Sequence, residues 1–179
     1  MKKLIFILLT LLTVPLTAFA ISLDELQNNS NKYVNIYDTI DGTMYTDITS
    51  IKCIRYAPPY YTLQAKEYFI YYNFNLIGEL TNTYNYDYNQ SCISLMEKIL
   101  ESNPLCSEEE FIKSISDETD KNSGITYTRT NINYYNLDGL YKSSSNNIYT
   151  QKLDFLSNGY KMANFIFEKY YTTKFWITK

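Results

Sequence analysis

The chain contains no histidine. That excludes Ser-His-Asp and Cys-His nucleophilic catalysis and removes the imidazole ligands that most zinc and transition-metal sites use. Its 3 cysteines, Cys53, Cys92 and Cys106, are too few and too scattered for a four-sulfur centre. Its 5 glycines form neither a P-loop nor a dinucleotide-binding fingerprint. No cofactor and no metal are therefore expected. Positive charge is also scarce: 16 Lys and Arg face 19 Asp and Glu, a formal net charge of −3, with no basic cluster. Such a chain is a poor nucleic-acid binder.

One long apolar run is present, at the start. Met1-Lys2-Lys3, the run Leu4 to Leu12 and Ala18-Phe19-Ala20 read as a Sec signal peptide over residues 1–20. Thr10, Thr13 and Pro15 interrupt it, and it is short for a span of ~20 residues. Cleavage after Ala20 would leave one exported domain, residues 21–179, in the periplasm or at the cell surface. Without Lys2 and Lys3 the 16 basic residues become 14, facing 19 acidic ones, a net charge of −5. An odd cysteine count in an oxidising compartment permits at most one intramolecular bridge. Cys92 and Cys106 bracket a predicted helix and could meet only if the following loop folds back.

The most regular stretch runs from Tyr60 to Tyr88. Odd positions Leu63, Ala65, Phe69 and Tyr71 are apolar, and even positions Thr62, Gln64 and Lys66 are polar, the period of a half-buried strand. After Asn73-Phe74-Asn75 the parity reverses, with Leu76, Leu80, Tyr84 and Tyr86 apolar. A two-residue loop would bring both apolar sets onto one face, so the stretch predicts a long hairpin.

Around it, Ser22 and Glu25 fit the cap and third position of a short helix. Asp41-Gly42 predicts a turn between strands Tyr33 to Asp38 and Thr43 to Asp47, with Ser50 to Tyr56 a further short strand and Pro58-Pro59 a corner. Ile93, Met96, Ile99 and Leu100 predict a helix ending at Asn103-Pro104. Ser107 and Glu110 cap another, with Phe111, Ile112 and Ile115 as its buried face. Asp120 to Gly124 lacks the spacing of a calcium loop and reads as a turn. A second hairpin surrounds Asp138-Gly139, Ser143 to Asn147 reads as a flexible link, and a helix from Ser157 or Asn158 to Tyr171 carries Met162, Ala163, Ile166, Phe167 and Tyr170. The expected fold is α+β: an antiparallel sheet built from hairpins with helices packed on one face.

Two features offer chemistry. Glu67 stands on the otherwise apolar face of the hairpin, where burial raises a carboxyl pKa. It is either the centre of a carboxylate hydrolase, a residue near the sheet end, or the partner of a cation such as Arg55. The 20 tyrosines reflect either A/T-rich codons or binding surfaces. Tyr56, Tyr60 and Tyr61 surround the Pro58-Pro59 corner, and Tyr68 and Tyr72 lie on the more polar strand face. These five form a candidate protein-binding surface.

The segment Tyr45-Thr46-Asp47-Ile48-Thr49-Ser50-Ile51-Lys52 resembles a Y-x-D-x-x-S-I-x strand signature of small secreted bacterial domains like the surface-adhesin protein E family. Tyr134 to Gly139 and the helix from Gly159 are similar in kind and order to that family's closing hairpin and helix. The likeness covers roughly residues 33–171. The family pattern has cysteines after the long hairpin and in the last helix; here only Cys92 corresponds, and the insert from Ser91 to Lys121 is longer. The resemblance implies a non-enzymatic surface or periplasmic protein that binds a protein partner such as host matrix. The alternative is an envelope protein whose sheet edge pairs with a partner or with a second copy.

Overall fold

A computed structural model describes residues 21–176; the leader expected over residues 1–20 lies outside them. The order is α1 (Leu23–Asn28), β1 (Tyr33–Asp38), β2 (Gly42–Ala57), β3 (Tyr60–Tyr71), β4 (Leu76–Asp87), α2 (Cys92–Ser102), α3 (Glu108–Lys121), β5 (Ile125–Asn136), β6 (Tyr141–Ser145), β7 (Tyr149–Lys152) and α4 (Asn158–Tyr171). The fold is α+β, with one antiparallel sheet of seven strands ordered β1-β2-β3-β4-β5-β6 and β7 also paired to β5. No helix among the described residues is long and apolar enough to cross a membrane.

The central hairpin pairs Tyr60 with Asp87 and Tyr71 with Leu76, without a register break. Its loop is a 3-10 turn, Tyr72–Phe74, closed by Asn75 at φ 50°, rather than two residues. Any loop with an even number of residues keeps odd positions opposite even ones, so the apolar faces still coincide. Leu63, Ala65, Tyr84 and Tyr86 are buried beneath Ala163, Ile166 and Phe167 of α4. The Tyr86 hydroxyl donates to the Ala163 carbonyl at 2.8 Å. Phe175 and Trp176 return after α4 to seal this layer, where the Phe175 carbonyl accepts from the Cys92 amide at 3.0 Å.

A smaller cluster occupies the other face. There Leu26 of α1 covers Tyr33, Tyr45, Tyr68, Ile70 and Ile77. Ser22 caps α1 through the Glu25 amide, and the Glu25 carboxylate accepts from the Tyr33 hydroxyl at 3.2 Å.

β2 is one strand where the sequence suggested two. Between Asp47, opposite Lys66, and Lys52, opposite Gln64, it bulges out. Asp47 accepts from the Thr49 amide at 2.9 Å, and the Ser50 hydroxyl accepts from the Lys66 amide at 2.8 Å. Asp47 and Ser50 of the signature segment therefore build a strand distortion, not an exposed contact. α2 buries Cys92, Leu95 and Ile99 and leaves Ile93 and Leu100 exposed. α3 has the full Ser107–Glu110 capping box, but Ile112 is exposed and Thr119 is its buried residue. Of the link expected over Ser143 to Asn147, Ser143 to Ser145 belong to β6, and β7 begins just after it at Tyr149. Cys53, Cys92 and Cys106 are all free, so no bridge joins Cys92 to Cys106.

Candidate functional site

Three polar residues break the apolar parity of adjacent strands: Glu67 on β3, Asn82 on β4 and Arg129 on β5. Register gathers them. Glu67 is opposite Leu80, and Asn82 is paired with Ala65 on one side and Arg129 on the other. Opposed residues of an antiparallel pair share a face, so all three face α4.

A bulge produces this arrangement. Leu80 pairs with Ile132 but Asn82 pairs with Arg129, so β5 carries one residue more than β4 across Thr81. The Thr130 hydroxyl donates to the Thr81 carbonyl at 2.8 Å and holds the break. The bulge switches the parity of β5, placing Arg129 and Tyr127 on the α4 side together with Ile132.

Glu67 is fully buried. Tyr84 donates its hydroxyl to Oε1 at 2.6 Å and Asn82 donates Nδ2 to Oε2. Burial pushes the carboxyl up to about 7, and the bonds from Tyr84 and Asn82 oppose that rise. Burial, then the charge of Glu67, holds the Tyr84 phenol far above its ordinary range, so it stays a donor. Glu67 is neither at the sheet end nor paired with Arg55, which is exposed on β2 opposite Thr62. Its burial is satisfied by neutral donors instead.

Over this group opens a cavity of about 460 Å³. Asn82, Tyr84 and Arg129 line it from the sheet, Tyr37, Phe69, Tyr71 and Tyr127 form aromatic walls, and Ser157, Gly159 and Met162 enter from the start of α4. Exposed Lys152 and Asp154 also line it. Glu67 is not part of the wall and reaches it only through Asn82 and Tyr84. Burial pushes the Tyr37 phenol up to about 12, with the nearby Glu67 adding to the effect.

Two wall groups lack partners. Asn82 Oδ1 and Arg129 Nε are buried without a hydrogen bond. The Arg129 guanidinium stacks 4.3 Å from the Tyr149 ring centre, and no carboxylate pairs with it among the described residues. An unpartnered buried polar atom costs roughly 1–3 kcal/mol, a cost that a bound ligand can relieve. Among the described residues, no three His, Cys, Asp or Glu side chains gather as a metal site.

The five sequence-nominated tyrosines do not form one surface. Tyr56 and Tyr60 are 67% and 48% exposed beside the Pro58-Pro59 corner. Tyr61 is half-buried and packs edge-on against Phe167 at 5.8 Å. Tyr72 is exposed but lies in the turn just past the far end of β3, a 12-residue strand that begins at Tyr60. Tyr68 is buried, because α1 covers the face that looked polar, and it meets the Tyr33 ring edge-on at 5.6 Å. Tyr68 is therefore a core residue.

Asn82 and Arg129 escaped the sequence reading although they left a signal. Asn82 occupies an even position between Leu80 and Tyr84, and Arg129 continues the odd series Ile125, Tyr127. Each is a polar residue at an apolar parity, as Glu67 is. Comparison with protein-family models, curated proteins and solved structures finds no match.

Proposed function

We propose that this protein is a non-catalytic binding module that holds a small ligand between its sheet and the start of α4. The observation that carries this reading is the cavity itself, whose buried wall atoms Asn82 Oδ1 and Arg129 Nε have no partner. Its volume falls within the ~300–1,000 Å³ of small-molecule sites. Binding is favoured over hydrolysis because a carboxylate mechanism needs two acidic groups facing the substrate. Glu67 is covered and fully engaged, which leaves Asp154 as the only carboxylate in the lining. Ligand-observed NMR with a chemically mixed fragment panel tests the proposal. Fragments should bind the wild type and lose binding to Met162→Trp, whose indole enters the cavity, while circular dichroism stays unchanged. Equal binding to both proteins, or none to either, contradicts it.

A second reading rests on Ile54, Tyr56 and Tyr60, each exposed at the β2–β3 end, with Tyr56 and Tyr60 on opposite faces of the hairpin. This tip suits a protein partner at a bacterial surface, with host matrix the class implied by the adhesin resemblance. Binding to a panel of matrix and serum proteins, abolished by Tyr56→Ser with Tyr60→Ser, is its expected outcome. No binding across the panel removes it and leaves the envelope-protein alternative.

A further inference from the structure

The cavity has a definite polarity. Arg129 is a half-buried cation of its wall whose Nε has no hydrogen-bond partner, and its guanidinium is delocalised, planar and suited to a carboxylate. Lys152 and Asp154 carry opposite charges and offset each other. Glu67 lies behind Asn82 and Tyr84, with much of its negative charge removed near neutral pH. At the α4 end, the first amides of a 14-residue helix add the positive end of its dipole. The environment therefore favours an anion.

Asn82 narrows the class. It is 3% exposed, its Nδ2 is committed to Glu67, and its Oδ1 is buried without a partner. An unpartnered acceptor in the wall repels a ligand oxygen that carries no hydrogen and rewards a hydroxyl or amino group that reaches it. Inorganic phosphate at neutral pH presents mostly acceptors, and it would fill little of about 460 Å³. The aromatic walls Phe69, Tyr71 and Tyr127 instead suit a flat body.

We propose that the cavity binds a small ring carboxylate bearing a hydroxyl or amino donor, with Arg129 holding the carboxylate and Asn82 Oδ1 accepting from the donor. The assignment rests on the ligand-cavity reading above and extends it to a chemical class. It also gives a counter-charge to a half-buried arginine that pairs with no carboxylate among the described residues.

The test is a series on one ring: 4-hydroxybenzoate, benzoate, 4-hydroxybenzamide and tyramine, titrated into the purified protein by calorimetry. 4-Hydroxybenzoate should bind on the order of tenfold more tightly than each of the others, the worth of one charge-assisted or neutral hydrogen bond in a dry site. Arg129→Met should remove that preference over the amide, and Arg129→Lys, which keeps the charge, should restore part of it. Amide or amine binding as tight as the acid overturns the carboxylate assignment, and equal binding of benzoate overturns the role of Asn82. Failure of the whole series, while other fragments still compete with Met162→Trp-sensitive binding, overturns the class and leaves the cavity reading standing. If no fragment of any kind enters, both fall.

Discussion

At Glu67 the strand places a carboxyl where its neighbours on the same face are Ala65 and Phe69. Two neutral donors, Tyr84 and Asn82, satisfy it. The consequence is a pH dependence with a definite sign. The folded carboxyl titrates at about 7 against an ordinary 4.5. Between those values the folded state holds a proton that the unfolded state has released. Stability from this group is therefore complete below about pH 4.5 and declines as pH rises through about 7, by on the order of 3 kcal/mol. Asp38 and Glu118, whose pKa values are lowered, act on the acid side of that window. Urea unfolding of the wild type should show the decline between pH 5 and pH 8, and Glu67→Gln should flatten it. A wild type equally stable at both pH values contradicts the account. The tyrosines divide in the same concrete way. Tyr68→Ala should cost about 3 kcal/mol, as emptying a core aromatic does, whereas Tyr56→Ala should stay within about 0.5 kcal/mol. Equal losses in thermal or urea unfolding would place Tyr68 at the surface after all.

Elements with strong local signals could be read from the chain directly. The Tyr60–Asp87 hairpin followed from alternation, and the α4 stripe Met162, Ala163, Ile166 and Phe167 from helical spacing, although Tyr170, expected in the same stripe, is exposed. The α3 capping box also followed from its sequence, and Ser107→Ala should cost about 1 kcal/mol, read as faster hydrogen exchange in the first turn of α3 with exchange in β3 and β4 unchanged. Protection lost in β3 as well would mean that α3 braces the sheet. Elements set by tertiary contact were not legible. Tyr68 looked solvent-facing, on the more polar strand face, until α1, six residues long, folded across it. The β2 bulge lengthens one strand where spacing suggested a break. Ile93 and Leu100 fit a helical stripe, yet α2 docks through Cys92, Leu95 and Ile99. The site was half legible for the same reason. Glu67 stood out as a charge on an apolar face, but joining it to Arg129 required the β4–β5 register, which depends on a bulge that no local pattern marks.

Across the whole molecule, the sheet offers two different surfaces. Its α4 side closes over a polar-floored cavity, and its β2–β3 end exposes Ile54, Tyr56 and Tyr60. Of the polar residues that violate alternation, Asn82 and Arg129 line the cavity and Glu67 lies directly behind its wall, while the exposed tyrosines Tyr56, Tyr60 and Tyr72 are spread along the hairpin. That contrast is why the cavity, rather than the tip, is the centre of the functional account. The most direct test is a crystal structure of the protein with its tightest-binding fragment. The account predicts the fragment between Tyr127, Arg129 and Gly159, with Asn82 Oδ1 and Arg129 Nε both engaged. A fragment seated at Tyr56 and Tyr60, or a cavity collapsed by movement of α4 onto the sheet, would contradict it.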